Sequence, residues 1–408
     1  MAVARRLALR ASPVVLAAYA VPLLTLLALA GLVAWHGPLY YDPSAPAERH
    51  DHFRYIAMAA NPFAPSGIGL DPPYCWRILT PLIVHYLPVP TLTGFWLLTC
   101  TGLALAVVGL VWCLRGLGLS PATALAGGLA FVLLGPATGF ELWDYMLTDP
   151  LTLALLAWIV ALAVRRMGAP LLVLLPLMAL SKETAIMAGI FAVLWAAEKR
   201  DRRLAVFAAA GLVAAVGVLV GLRIAIRPGS GYSLGSDLVR GFLLFVLQPA
   251  WGLYRLTSGT APAWYLLLPI ALLQLTHPPR LLRSPAWGWL LLSATAQILI
   301  ASDGDRLVVC AFPAVIAAVC FEMSWLAARL QVSGTALWSL LLAVQALFWI
   351  PYGMGLRGNT NAIDFLGPPG LALFYAIFVT AATTFIFALY GPLRSRLLPA
   401  LSGLRNLV

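Results

Sequence analysis

Long apolar runs follow one another along most of this chain, and no other feature constrains its fold more. A helix crossing the hydrocarbon core of a bilayer needs about 20 predominantly apolar residues, because each backbone N–H and C=O must be satisfied within the segment. Hydrophobic residues make up 62% of the chain, charged ones only 10%, and the mean hydropathy is +0.92. The expectation is an all-α polytopic membrane protein, one integral membrane domain over 1–408, with no large soluble domain. The basic stretch 1–10 leads into an apolar run from 13 to 34. That run is too long for a signal-peptide core and shows no small-residue cleavage site, so it reads as a retained first span.

The runs suggest about 12 transmembrane helices, at 14–35, 92–114, 121–140, 150–166, 170–181, 184–197, 204–222, 261–276, 286–301, 307–327, 334–351 and 370–390. With both termini cytoplasmic, the inner side holds 16 bases against 3 acids, and the outer side 10 bases against 12 acids. This asymmetry follows the positive-inside rule and places the chain in the plasma (bacterial inner) membrane. The net charge of +11 is dispersed between apolar runs, which answers to topology and not to nucleic acid. Five cysteines, four of them inside apolar runs, give neither a disulfide framework nor zinc spacing. The runs 170–181 and 184–197 are short for a crossing and read as a hairpin tipped by Ser181-Lys182-Glu183. Outer-face interfacial helices are expected at 76–87, in the first outer loop (36–91), and at 235–256, in the loop 223–260.

Charge is costly beside lipid, so the places where acids gather on the outer side are informative. The first loop carries Glu48-Arg49-His50-Asp51-His52-Phe53-Arg54-Tyr55. As a helix, it places Phe53, Ile56, Ala57 and Ala60 on one apolar face, with Asp51 and Tyr55 opposite, at about 100° per residue. That describes a surface helix directing a carboxylate away from lipid. His50 and His52 flank Asp51 about 100° to either side, so they hold a metal with it only if the segment is not helical. In the second outer loop, Asp149 precedes Pro150, which fits a helix N-cap or a carboxylate aimed into a cavity. Lys182-Glu183 reads either as an ion pair closing its hairpin or as part of a site. Arg223, Arg227 and Arg240, and Arg306 after Asp303-Gly304-Asp305, are bases on the side that should lack them. Lipid phosphate is a natural partner for such cations, and Asp237 or Asp305 the local alternative.

The ordered set Asp51-His52-Phe53-Arg54-Tyr55-Ile56-Ala57, Pro73-Tyr74-Cys75-Trp76-Arg77-Ile78-Leu79-Thr80-Pro81, Leu147-Thr148-Asp149-Pro150-Leu151, Ser181-Lys182-Glu183-Thr184-Ala185 and Asp305-Arg306 resembles the GT-C superfamily of membrane glycosyltransferases. The resemblance covers roughly residues 40–315 and lacks the large extracytoplasmic domain of well-known members. It implies transfer of a sugar from a polyprenyl-phosphate-linked donor to a hydroxyl of a glycan, lipid or protein acceptor, outside the membrane and with inversion. It also implies Asp51 as general base, with Asp149 or Glu183 orienting the acceptor or serving as the base instead. Arg306, Arg223, Arg227 and Lys182 are the cations for the leaving phosphate, with Arg54, Tyr55, Arg77 and Asp305 as further substrate contacts. A divalent cation (Mg or Mn) stays open as cofactor. Two other classes compete: a secondary transporter, whose binding element would be the broken hairpin, and a non-catalytic flippase or scaffold of polysaccharide assembly.

Overall fold

The computed structural model describes residues 13–39, 51–63, 67–228, 234–248, 260, 263–275, 278–299 and 304–355. The expectations at Glu48–His50, at 249–256 and for a last span at 370–390 lie outside them. Every regular element among the described residues is helical. α1 (Pro13–His36) leads to the first loop, which contains α2 (Asp51–Ala60), single 3₁₀ turns at Gly67–Leu70 and Tyr74–Trp76, and α3 (Leu79–Tyr86). Then come α4 (Thr91–Gly116), α5 (Pro121–Val132), a π-turn (Gly135–Gly139) running into α6 (Phe140–Trp143), and α7 (Asp149–Val164). The hairpin is α8 (Leu171–Ser181) and α9 (Ala185–Glu198), followed by α10 (Arg202–Ala225) and α11 (Leu234–Leu247). α12 (Leu267–Leu272), α13 (Pro285–Ala296), α14 (Gly304–Val308), α15 (Phe312–Leu330) and α16 (Gly334–Gly353) complete the described chain.

Among the described residues, five helices are long and apolar enough to cross a membrane: Pro13–His36, Thr91–Gly116, Arg202–Ala225, Arg306–Ala328 and Gly334–Gly353. A sixth is obtained if Pro121–Val132 and Gly135–Trp143, bent by 63° at their junction, form one broken span. The other expected runs are helices of 16 residues or fewer, as at α7, α8, α9, α12 and α13. Length alone therefore does not reach a count of 12.

Parallel packing of α4 on α7 sets the frame. Gly102, Gly109 and Gly116 recur every seven residues and face Pro150, Ala157 and Val164, which share that interval. A seven-residue repeat keeps one seam of two helices in contact, and small residues let the backbones approach. A Cβ at Gly102 would lie 2.8 Å from the Pro150 carbonyl carbon, and one at Gly109 3.0 Å from Ala157 Cβ. At the far end of the seam the Arg165 guanidinium donates to the Trp112 carbonyl at 3.0–3.1 Å and stacks on its ring.

The bend between α5 and α6 is built from side chains. Pro136 lacks a backbone donor, and the Thr138 hydroxyl donates to the Val132 carbonyl at 2.6 Å. Trp349 of α16 in turn donates its indole N–H to Thr138 Oγ1 at 3.0 Å. The Tyr352 ring lies where a Cβ on Gly135 would sit, 2.3 Å away. Local signals place other helix starts: Ser120 caps α5 with Pro121 in its first turn, and Asp201 accepts from Leu204 N at 3.0 Å to cap α10.

These contacts sort the chain into two ends. Arg115, Arg165, Arg166, Lys199, Arg200, Arg202, Arg203 and Arg283 collect at one, where Glu198 accepts from the Ser284 hydroxyl and the Ala286 amide. The start of α2, the α6–α7 junction, the α8–α9 tip and α14 meet at the other. Gly102→Ala is expected to destabilise the detergent-solubilised protein by about 1–3 kcal/mol, the usual effect of overpacking. Gly31→Ala, which meets nothing within 4 Å, serves as the control. Equal thermal midpoints for the two variants would remove the close α4–α7 seam as a determinant of the fold.

Candidate functional site

The residues meeting at this end come from five stretches of the chain. Asp149 is the first residue of α7, held near α4 by the close approach at Gly102. The N-cap position is Thr148, and it makes no side-chain cap bond, so Asp149 does not act as the cap of this helix. Both Asp149 oxygens instead face cations. Oδ1 accepts from Lys182 Nζ, and Oδ2 lies 3.4 Å from Arg306 Nε, an electrostatic contact without hydrogen-bond alignment. The same guanidinium donates through Nη2 to Asp51 Oδ2 at 2.8 Å. Arg306 thus bridges two carboxylates 98 positions apart (149 against 51), and is itself 255 positions from Asp51.

Lys182 and Glu183 do not pair with each other across the hairpin tip. Lys182, 3% exposed, turns to Asp149, while Glu183 accepts from Arg77 Nη2 at 3.3 Å. The extended Lys182 backbone between α8 and α9 directs these neighbouring side chains to different partners. Arg77 also donates to the Tyr55 hydroxyl at 3.3 Å, and Thr148 Oγ1 donates to the same oxygen at 3.4 Å. The Tyr74 ring lies beneath the guanidiniums of Arg54 (4.7 Å) and Arg77 (5.5 Å).

The α2 helix forms, but its faces differ from the simple amphipathic expectation. Tyr55, Met58 and Ala59 are buried against protein, while Ile56 and Ala57 are half-buried and Ala60 is exposed. Tyr55, expected opposite the apolar face, is a buried post between Arg77 and Thr148. Packing of α2 against α3 and the 3₁₀ turns outweighs its own periodicity.

Burial alone would raise the Asp51 carboxyl, but the Arg306 guanidinium, the Tyr74 hydroxyl and the charge of Arg77 outweigh it and hold it below the usual carboxylate range. Burial, then the charge of Asp51, pushes the Tyr74 phenol up, and burial does the same to Tyr55. The Cys75 thiol is pushed up to about 11 by burial.

Several expected residues stand outside the cluster. Arg54 pairs with Asp71 at 3.0 Å. Arg223 stacks over Trp76 at 4.9 Å, and the Trp76 indole donates to the Ile226 carbonyl at 3.2 Å, which ties the end of α10 to the first loop. Arg227 is exposed. The Asp305 side chain and all of His50 lie outside the described residues. His52 turns away from Asp51, with Nδ1 3.4 Å from Asp144 Oδ2. Among the described residues no group of three His, Cys, Asp or Glu side chains is placed to hold a metal ion.

The sequence alone assigns no role to Glu141, Asp144, Tyr74 or Thr148. Glu141 is fully buried, with no hydrogen-bond partner on either oxygen among the described residues, in the field of Asp149, Arg306, Asp144 and Lys182. Its signal in the sequence is an acid at the end of an apolar run. Only the 63° bend turns that acid toward the cluster. Comparison with protein-family models, with curated proteins and with solved structures gives no match for this chain.

Removing Lys182 leaves a buried carboxylate with one cation in place of two. Lys182→Met is expected to cost about 3 kcal/mol of stability in detergent, near the low end for a broken buried pair because Arg306 remains. The Lys182→Met, Asp149→Asn double variant should lose less than the single one. Strictly additive losses in thermal unfolding would show that the pair is not coupled.

Proposed function

We propose that the protein is a membrane glycosyltransferase of GT-C type, taking its sugar from a polyprenyl-phosphate-linked donor on the extracytoplasmic side. The observation that supports this reading is the bridge from Arg306 to Asp51 and Asp149, with Lys182 completing it. One carboxylate able to accept a proton and two fixed cations stand within one cluster, at the end of the bundle away from most basic residues. The inner, nucleotide-sugar side of a positive-inside protein is the basic end, so a lipid-linked donor suits a site at the opposite end.

The chemistry follows from these groups. Asp51 removes the proton from an acceptor hydroxyl as its oxygen attacks the anomeric carbon from the face opposite the phosphate. The bond between that carbon and the phosphate oxygen breaks, its electron pair stays on the oxygen, and polyprenyl phosphate leaves with one more negative charge. Arg306 and Lys182 stabilise that charge as it develops, and fixed charges of this kind supply most of the rate enhancement in many enzymes. In this reading Glu183, held by Arg77, and Asp149, held by Lys182, orient the acceptor. The acceptor is a hydroxyl of a glycan, lipid or protein.

One observation favours a second reading, a secondary transporter: a helix broken by 63° that carries buried charge is also how such proteins build substrate sites. Labelled-solute counterflow in proteoliposomes distinguishes the two. For the transferase, Asp51→Asn should lower turnover about 10²–10⁴-fold, the usual worth of general-base assistance, with the thermal midpoint little changed. Because Asp51 is held below its ordinary range, kcat/KM for the wild type should keep its acid limb below about pH 4. Wild-type turnover in the Asp51→Asn variant removes Asp51 as the base.

A further inference from the structure

The basic end of the bundle holds a second cluster, which the transferase reading leaves without a role. Arg166, Lys199, Arg200, Arg202 and Arg203 are exposed there, on the turns that join α7 to α8 and α9 to α10. The acids beside them are already engaged within the protein. Glu198 accepts from the Ser284 hydroxyl and the Ala286 amide, both at 2.7 Å, and Asp201 caps α10. Among the described residues none of the five cations is in an ion pair.

The two turns are built alike. At the end of α7 the Arg166 amide donates to the Ala163 carbonyl at 3.0 Å and the Met167 amide to that of Leu162 at 2.9 Å. At the end of α9 the Arg200 amide donates to Ala197 at 3.1 Å and the Asp201 amide to Ala196 at 2.9 Å. This pair of bonds requires a left-handed residue between them, and glycine is the usual one. Here both are arginine, with φ 59° at Arg166 and 51° at Arg200. A base near a helix C-terminus is favoured by the dipole, but Arg165 and Lys199 already stand at the C-caps of α7 and α9. What remains at Arg166 and Arg200 is a disfavoured backbone kept together with a charged side chain. Backbone strain of this kind gathers where a ligand is held.

The turns are also neighbours. A Cβ on Gly168 would lie 2.8 Å from the Phe207 ring, and the Arg203 guanidinium stands 5.9 Å over the centre of that same ring. One turn further in, α10 meets α8 where Gly211 comes close to the Leu171 carbonyl. Beside the cations the surface becomes apolar: Met167, Leu172, Val173 and Val206 are between 39% and 67% exposed. A soluble anion would meet the cations and leave this strip bare. An anion that carries hydrocarbon covers both.

We propose that the paired turns bind an anionic phospholipid, with its phosphate held by Arg166, Arg200 and Arg203 and its acyl chains against Met167, Val173 and Val206. Guanidinium groups suit the task because their planar fork matches two phosphate oxygens and is more weakly hydrated than an ammonium. Basic pockets between helices are a general means of holding such headgroups. The site lies at the opposite end from Asp51 and Arg306, so it is independent of whether the protein transfers a sugar.

The test is native mass spectrometry of the purified full-length protein in detergent, titrated with dioleoyl phosphatidylglycerol or dioleoyl phosphatidylcholine. Wild type should hold phosphatidylglycerol at least about tenfold more tightly than phosphatidylcholine. The double variant Arg166→Gly, Arg200→Gly supplies the residue both turns prefer, so its thermal midpoint without lipid should equal or exceed that of wild type. It should nevertheless bind phosphatidylglycerol about thirtyfold more weakly, about 2 kcal/mol for two bases, and phosphatidylcholine as before. Arg203→Gln, expected to weaken phosphatidylglycerol about fivefold, is the second variant if the double one does not fold. Equal affinity of wild type for the two lipids, or unchanged phosphatidylglycerol binding in the variants, overturns the site. Displacement of the lipid by millimolar inorganic phosphate assigns these cations to a soluble anion and overturns it as well.

Discussion

A charge buried among apolar helices must have a partner, and most of the architecture at one end of this bundle follows from that requirement. Removing a carboxylate or an ammonium from water costs several kcal/mol per ion, so each such group is placed where an opposite charge can reach it. Asp149 meets Lys182 and Arg306, Asp51 meets Arg306, Glu183 meets Arg77, and His52 meets Asp144. Within this set Glu141 stands apart, buried and without a hydrogen-bond partner among the described residues.

Helix packing makes those meetings possible. The glycine repeat on α4 brings the start of α7 close, which seats Asp149. α8 and α9 have 11 and 14 residues, and at their junction Lys182 meets Asp149 while Glu183 meets Arg77. On the other side the α5–α6 bend, held by Thr138, Trp349 and Tyr352, turns the acids of the second loop inward. The apolar packing and the polar cluster are thus two results of the same contacts. A substitution in the seam reaches the site through Pro150, and one in the site reaches the seam through Asp149.

Much of this was legible in the residues. Strong apolar runs announced most of the helices. Ser120 and Pro121 lie at the start of α5 and Asp201 at the start of α10, as caps and first-turn prolines do over a few residues. The choice of Asp51, Asp149, Lys182, Glu183 and Arg306 as residues of interest also came from local sequence, since an ionisable group beside an apolar run needs a reason wherever it occurs. What local sequence misjudged were the partners. Lys182 and Glu183 are adjacent yet bind different groups, and Asp149, open in the sequence to a cap or a cavity-facing carboxylate, is an anion facing two cations. Arg223, expected as a phosphate ligand, stacks on Trp76.

The sequence by itself determined that this chain is helical, that it carries helices able to enter a membrane, and which charged side chains stand out against that apolar background. Hydropathy and periodicity are properties of neighbours along the chain, and they survive without a fold. Only the tertiary structure decided that Asp51, Asp149 and Arg306 share one bridge, that Tyr55 is buried rather than solvated, and that Glu141 joins the cluster at all. Those facts depend on contacts between residues as many as 255 positions apart, and on a 63° bend held by a tryptophan from α16. No periodicity within a single segment encodes them.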